Sequence, residues 1–387
     1  MLVVLCATEI TSWGVLFYAF PVLTVHITAT TGWSTAAITA ALSVGQLVGA
    51  LVGIPVGRRL DRHGPRGVMT AGSLLGVLAV VALAWSPGLG WFFAAWSLVG
   101  VAMGAVLYPP AFAALTRWHG RDRVRALTVL TLAGGLASTV FAPLTAALAD
   151  HLGWRGTYLV LAAVLAVVTI PGHWFGLRLP WPPPPPVDPR HAHAGDPARV
   201  ARSRAFVVLV VAFSVAAFGT FAVVVNLVPL LAERGIGTGT AAIALGLGGA
   251  GQVAGRLGYA GLVRRTGVRT RTALVLGALA ATTALLGVLT GVVALIGAAI
   301  LAGVARGVFT LLEATAVTDR WGAAHYGRLT GLLAAPLTVT MALAPFAGAA
   351  LAELLGGYSL TFLLLGAATF AIIPLCLLPT PENPSED

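Results

Sequence analysis

The sequence contains no lysine, only two cysteines and few charged residues of any kind. Charged residues make up 9% of the chain, whereas a water-soluble domain contains about 25%. This scarcity excludes an ordinary soluble domain. Cys6 and Cys376 lie at opposite ends of the chain, which excludes a disulfide framework and a cysteine metal cluster. The two histidines of "HAH" at 191–193 are too few ligands for a metal site, so we expect neither metal nor cofactor.

Hydrophobic residues are abundant, at 58% of 387 residues. They form continuous runs of about 20 residues, the length of a membrane-spanning helix. A β-barrel would show shorter segments of alternating hydrophobicity. The first run starts at Met1 and no cleavable signal precedes it, so we expect it to remain as a spanning helix.

These runs predict an all-α membrane protein with twelve transmembrane helices. The predicted helices cover residues 1–27, 34–56, 68–86, 91–116, 126–149, 157–177, 205–232, 238–262, 272–290, 292–317, 329–354 and 357–378. A long connection, 178–204, contains "PWPPPPP", which favours an extended, solvated segment. The sequence therefore predicts a six-helix half at 1–177, a linker at 178–204, a second half at 205–378 and an acidic tail at 379–387.

The arginines indicate how the chain is oriented. Of the 23 arginines, 19 follow the even-numbered helices, and the opposite loops hold only Arg155 and Arg234. Because basic loops stay in the cytoplasm, we expect both termini and the linker to be cytoplasmic, in a multi-pass protein of the plasma membrane. The formal net charge of +10 is explained by this topology, and we expect no nucleic acid as a partner.

The two predicted halves resemble each other at an offset of 203 residues. "GVAMG" at 100–104 aligns with "GVARG" at 303–307, and Arg117-Trp118 aligns with Arg320-Trp321. A six-helix repeat with both copies in the same orientation is the parallel arrangement of one class of transporters, whose binding site lies between the halves.

The loop "GRRLDRHGPRG" at 57–67 resembles the cytoplasmic signature of the major facilitator superfamily. The matching positions are Gly57, Asp61, Arg62, Gly64 and Arg66. The resemblance implies the major facilitator fold over the whole chain. It also implies that this loop is a conformational latch on the cytoplasmic side, with Asp61 near Arg117 and the start of helix 11. A carboxylate is favourable at the amino end of a helix.

Further stretches resemble the monocarboxylate and oxalate–formate porter branch, among them "SWGVLFYAFPVL" at 12–23 and "GQVAGRLGYAGLV" at 251–263. In that branch an arginine of helix 8 pairs with the substrate carboxylate, and Arg256 matches it. Gln252 stands where some members have a proton-coupling aspartate, and Val22 stands where some have a lysine.

Arg306 and Glu313 lie seven positions apart in a predicted helix, so both side chains share one face. The repeat partners of these residues are Met103 and Pro110, so the scaffold does not require charge here. An arginine inside the membrane faces a cavity or a partner. Arg306 is therefore predicted to bind an anion, and the alternative is a structural ion pair with Glu313 or Glu9. Either carboxyl is a candidate for proton coupling, or for a packing hydrogen bond.

Isolated polar residues on the apolar helices complete the set of predicted substrate-binding residues: Asn226, Tyr108 and Gln252 join Arg306 and Arg256. Hydrogen bonds between helices are the alternative role for these three polar side chains.

The sequence favours a secondary transporter that works by alternating access, as a monomer, on a small organic anion such as a monocarboxylate, with a coupling proton. The runner-up is efflux of drug-like compounds, because "APLTAALA" at 142–149 weakly resembles an antiporter signature. A third hypothesis is a sensor with a transporter-like fold. An enzyme is not expected, since a nucleophile elbow, a metal-ligand cluster and a carboxylate pair at helix spacing are all missing. ATP-driven transport is not expected either, since the sequence has no Walker-type loop.

Overall fold

The apolar runs of the sequence become long helices, because a backbone in lipid must satisfy its own hydrogen bonds. The computed structural model describes residues 1–119, 123–182, 197–321 and 326–376, and these residues contain helices without a β-strand. The side chain of Asp61, residues 183–196 of the predicted linker and the predicted tail lie outside the described part of the chain.

The first half of the chain forms eight α-helices and one π-helical turn. They are α1 (Leu2–Trp13), the π-helical turn (Gly14–Tyr18), α2 (Ala19–Thr31), α3 (Thr35–His63), α4 (Pro65–Ala84), α5 (Leu89–Val106), α6 (Tyr108–His119), α7 (Arg123–Gly135) and α8 (Ala137–Gly176). The chain is extended at Leu107 between α5 and α6, since Pro109 and Pro110 follow and cannot donate helical hydrogen bonds.

The second half of the chain forms nine α-helices. They are α9 (Pro197–Ala201), α10 (Arg204–Glu233), α11 (Thr238–Arg265), α12 (Val268–Val288), α13 (Val292–Thr315), α14 (Thr318–Trp321), α15 (Tyr326–Leu355), α16 (Tyr358–Ala371) and α17 (Ile373–Cys376).

Ten helical segments are long and apolar enough to cross a membrane. One of them, Arg125–Gly176, contains two crossings, because Gly153 has a left-handed φ of 63° and turns the chain back. The 28-residue α11 is a further crossing, although its glycines, Gln252 and Arg256 make it less apolar than the others. The described residues thus form the twelve predicted crossings.

The outer surface of the bundle is apolar. Val3, Val167, Leu257 and Leu354 are 80%, 74%, 67% and 82% exposed. Large hydrophobic side chains exposed all around a bundle are stable in lipid and unfavourable in water. The protein is therefore a multi-pass membrane protein.

The predicted repeat is visible as the same backbone contact made twice. A Cβ atom at Gly100 would clash with the carbonyl oxygen of Gly45, and one at Gly303 would clash with that of Gly248. These two pairs are separated by the offset of 203 residues. Small residues at both places let α3 approach α5 and α11 approach α13.

Arg155 and Arg234, in the loops with few charges, form hydrogen bonds to the ends of neighbouring helices. Arg155 donates from Nη2 to the carbonyl oxygen of Ser86 at 3.0 Å. Arg234 donates to the carbonyl oxygens of Gly287, at 2.7 Å, and Leu289. Ser86 and Leu289 are again 203 positions apart. Each arginine thus satisfies carbonyl groups that the end of a helix leaves without a partner.

Candidate functional site

A central cavity of about 260 Å³ lies between the first six and the last six crossings. Helices α1, α6, α7, α10, α11, α13 and α15 and the π-helical turn line it. Its lining residues are Trp13, Phe17, Tyr18, Tyr108, Gly134, Ala217, Thr220, Phe221, Val224, Gln252, Arg256, Arg306, Phe309, Thr310, Glu313 and Met341. Four of the five predicted substrate-binding residues meet here: Arg306, Arg256, Tyr108 and Gln252.

Arg306 faces this cavity from α13 without a carboxylate partner. Among the side chains that the structure describes, it forms no ion pair, and the ion pair found joins Arg271 to Asp319 instead. The Nε and Nη2 atoms of Arg306 are buried and lack hydrogen-bond partners among these residues. The alternative of a structural ion pair with Glu313 or Glu9 is therefore wrong for this conformation. Met103, the repeat partner of Arg306, is packed in the core and 7% exposed.

Arg256 reaches the same cavity from α11 and is only 7% exposed. Its Nη1 donates a hydrogen bond to the carbonyl oxygen of Thr131 in α7. Thr131 lies near the carboxyl end of α7, which ends at Gly135, and its carbonyl oxygen has two lone pairs, so it can accept from Arg256 in addition to a helical amide. Gly135 also gives the guanidinium room, since a Cβ atom there would lie 3.2 Å from Nη1.

One wall of the cavity is aromatic. The ring of Trp13 lies 5.1 Å from that of Tyr108, and Phe17 lies 6.0 Å from Phe221 of α10. The sequence analysis singled out only Tyr108 from this wall. Its other aromatic residues stand on uniformly apolar helices, so no sequence signal separates them from ordinary core residues.

Asn226 lies outside the cavity. Its side chain is fully buried between α10 and α15, donates to the carbonyl oxygen of Ala222 at 2.9 Å, and packs against Gly348. This hydrogen bond is made within α10 and not between helices, and Oδ1 of Asn226 has no partner among the described residues, so the structure does not bring Asn226 together with the other predicted substrate-binding residues.

The two candidates for proton coupling occupy different places. Glu313 lines the cavity. Glu9 of α1 is fully buried outside the lining, and both of its carboxylate oxygens lack a hydrogen-bond partner among the described residues. A buried carboxyl without partners is far more stable neutral than ionised.

The predicted latch residues lie at the arginine-rich end of the first six crossings. Arg66 donates from Nε to the carbonyl oxygen of Trp174 at 2.9 Å, and Arg117 stacks on Trp181 at 4.5 Å. Trp181 also packs against Gly64. Gly57 is half-buried and Arg62 is exposed at the same end. The predicted contact of Asp61 falls on a side chain outside the described part.

No group of three or more histidine, cysteine, aspartate or glutamate side chains that could hold a metal ion occurs in the described ranges.

Comparison with known proteins gives related transporters. The chain is 30% identical to monocarboxylate transporter 11 of Homo sapiens over 196 residues, which are 51% of this chain and 41% of that protein. It is 30% identical to the uncharacterised MFS-type transporter YcxA of Bacillus subtilis (strain 168) over 126 residues, 31% of this chain and 30% of that one. The matches thus span less than half the length of these curated relatives.

Solved structures share the fold over nearly the whole chain. A mutant of the nucleoside transporter NupG superposes with a TM-score of 0.76 at 15% identity, covering 97% of this chain and 98% of that one. A bacterial homologue of the human lysosomal transporter Spinster, inward-facing and unoccupied, gives a TM-score of 0.73 at 15% identity, covering 97% and 94%.

The family model of the Major Facilitator Superfamily matches residues 5–294 and 269–387. This match covers almost the entire chain and agrees with the twelve crossings and the repeat. The protein belongs to the Major Facilitator Superfamily, which is a family of membrane transporters and not of enzymes.

Proposed function

We propose that this protein is a secondary active transporter that carries a small organic anion, such as a monocarboxylate, by alternating access. The observation that carries this proposal is Arg306, a guanidinium in the wall of the central cavity without a carboxylate partner. An unpaired cation inside the membrane is costly. A carboxylate that enters the cavity offers two oxygens that match the planar fork of the guanidinium.

The rest of the cavity suits a carboxylate with an apolar body. Arg256 and Gln252 supply further hydrogen-bond donors, whereas Trp13, Phe17 and Phe221 form an apolar wall. A few polar groups that orient the ligand within a largely apolar pocket are typical of small-molecule sites. The names of the relatives called monocarboxylate transporters support the same substrate class.

The driving force in this proposal is a proton. Glu313 shares the cavity with the anion site, and Glu9 is a fully buried carboxyl of α1, the helix that contributes Trp13 to the cavity wall. A carboxyl that is neutral when buried and ionised when wetted takes up and releases one proton as the halves move.

Alternating access requires two rigid six-helix halves, at 1–177 and 205–378, joined by the linker at 178–204. We assign a latch role to Gly57, Asp61, Arg62, Gly64, Arg66 and Arg117 at the arginine-rich end. In this proposal that end and both termini are cytoplasmic, the membrane is the plasma membrane, and the transporter works as a monomer.

Efflux of drug-like compounds is a second candidate, favoured by the aromatic wall of the cavity. Aromatic rings offer large contact areas to planar apolar compounds. Transport of an organic anion depends on a guanidinium in the cavity, whereas transport of an apolar drug does not, and this difference separates the two candidates.

Uptake into proteoliposomes tests the proposal. Radiolabelled monocarboxylates, from acetate to benzoate, are offered with an inward proton gradient. Wild-type protein should accumulate at least one of them, and Arg306→Met should not. Arg264→Met, at an exposed arginine of α11, is the matched control and should transport normally. Movement of an apolar dye with no carboxylate uptake would support efflux, and binding without counterflow would identify a sensor.

A further inference from the structure

A second, smaller cavity lies on the other side of Arg306. Its volume is about 30 Å³, and it is lined by α10, α11, α12 and α13. It shares Thr220, Val224 and Arg306 with the central cavity, so the Arg306 side chain belongs to the walls of both. A space of this size holds one or two water molecules or a single small ion.

The polar side chains around the small cavity are Arg306 and three threonines. Thr220 Oγ1 is buried and has no hydrogen-bond partner among the described residues, like Nε and Nη2 of Arg306. Thr283 lines only the small cavity. Thr282 differs from these two, because its hydroxyl donates to the carbonyl oxygen of Ala278 in its own helix at 2.7 Å. Buried donors without an acceptor in the protein are suited to hold a bound water molecule or ion.

The charge of the residues around the small cavity indicates whether water or an ion fits it better. None of its lining residues is acidic, and the remaining ones are apolar apart from the threonines. The site therefore combines one positive charge with hydroxyl and guanidinium donors and has no negative charge to balance them. An anion accepts hydrogen bonds from these donors and also neutralises the buried guanidinium. Water accepts the hydrogen bonds but leaves the positive charge unbalanced.

We propose that this small cavity binds one inorganic anion of chloride size, held by Arg306, Thr220 and Thr283. The volume of about 30 Å³ is too small for an organic substrate. Because one guanidinium serves both cavities, an anion in the small cavity and an organic anion in the central cavity weaken each other's binding. The linkage is reciprocal, so chloride acts as a negative regulator of substrate affinity. The chloride site itself does not depend on which organic substrate is carried.

Binding of chloride alone tests the site. The full-length protein is placed in nanodiscs of neutral lipid, and labelled chloride is titrated at constant ionic strength with gluconate as the replacement anion. We expect saturable binding of one chloride per protein and a melting temperature that rises with chloride and with bromide. Arg306→Met should abolish both effects. Absence of saturable chloride binding overturns the proposal.

Two matched pairs of variants locate the anion. Thr283→Ala should weaken chloride binding by about tenfold or more, and Thr283→Ser, which keeps the hydroxyl, should retain it. Thr282→Ala and Thr282→Ser should both bind chloride within about twofold of wild type, since that hydroxyl already serves its own helix. The melting temperature of each variant in gluconate checks that it is folded. Equal chloride binding by Thr283→Ala and Thr283→Ser would place the anion in the central cavity and overturn the proposal.

Discussion

Arg256 of α11 donates a hydrogen bond to the backbone carbonyl of Thr131 in α7. A cation that lines the central cavity is thus also a link between the first six and the last six crossings. In the proposed function, a substrate carboxylate would compete with this carbonyl for the guanidinium. We therefore propose that substrate binding and separation of the halves are coupled through this side chain, since a ligand shifts a conformational equilibrium by its difference in affinity for the two states.

Replacement of Arg256 by lysine keeps the charge and loses the planar fork. We expect the affinity for the transported carboxylate to fall by about tenfold or more, because charge-assisted hydrogen bonds are lost. Isothermal titration of the purified variant measures this affinity. Arg264→Lys, at an exposed position of the same helix, is the control. Equal affinities for the two variants would exclude Arg256 from the site.

Arg306→Met restores the residue found in the other copy of the repeat, Met103. Removal of an unpaired buried charge should leave the melting temperature of the ligand-free protein unchanged or raise it, because desolvation of the guanidinium no longer opposes folding. Thermal unfolding in chloride-free gluconate, followed by tryptophan fluorescence, measures the change. A melting temperature several degrees lower than that of wild type would show that Arg306 has a structural partner.

Glu9→Gln replaces a buried carboxyl by a neutral side chain of the same shape. We expect the protein to fold normally, to exchange labelled for unlabelled substrate, and to lose accumulation driven by a proton gradient, because the proton-carrying group is missing. Comparison of counterflow with gradient-driven uptake in proteoliposomes separates these activities. The same two activities are measured for Glu313→Gln. If gradient-driven uptake survives in Glu9→Gln and disappears in Glu313→Gln, the carboxyl in the cavity carries the proton.

Glu353 of α15 accepts a hydrogen bond from the backbone amide of Ala36 at 2.9 Å, at the amino end of α3. A carboxylate at this position is stabilised by the helix dipole by about 1 kcal/mol or less. Glu353→Gln should therefore increase the population in which the halves separate at this end by up to about fivefold. Asp150 occupies the matching position of the repeat, is exposed, and makes no such bond among the described residues, so Asp150→Asn should have no effect.

Pulsed electron spin resonance between labels at Ala29 and Leu354 measures this separation, in a background without Cys6 and Cys376. Both labelled positions are exposed, and they lie on opposite sides of the contact. A longer distance should gain population in Glu353→Gln alone. An unchanged distance distribution would contradict a gating role for Glu353.

The distribution of arginines predicts which end of the bundle is cytoplasmic. A cysteine introduced at Gly195, within the linker, should react with a membrane-impermeant maleimide only after the cells are opened. Positively charged loops are retained in the cytoplasm during insertion. Labelling in intact cells would show that the arginine count misassigns the orientation.

The twelve crossings could be predicted from the sequence because each depends on a local property, an apolar run long enough to span the bilayer. Helical spacing also placed Arg306 and Glu313 on one face of α13. The internal repeat could also be predicted from the sequence, because close packing of helices requires small residues, such as Gly100 and Gly303, at matching positions.

The arrangement of the site was decided by tertiary structure. The bond from Arg256 to Thr131 joins residues 125 positions apart, and no periodicity along one helix predicts which carbonyl of another helix will accept its hydrogen bond. The π-helical turn at Gly14–Tyr18 helps set which face of the first crossing is turned inward. Packing between helices therefore decided that Trp13 and Phe17 line the cavity, whereas Glu9 and Asn226 lie outside it.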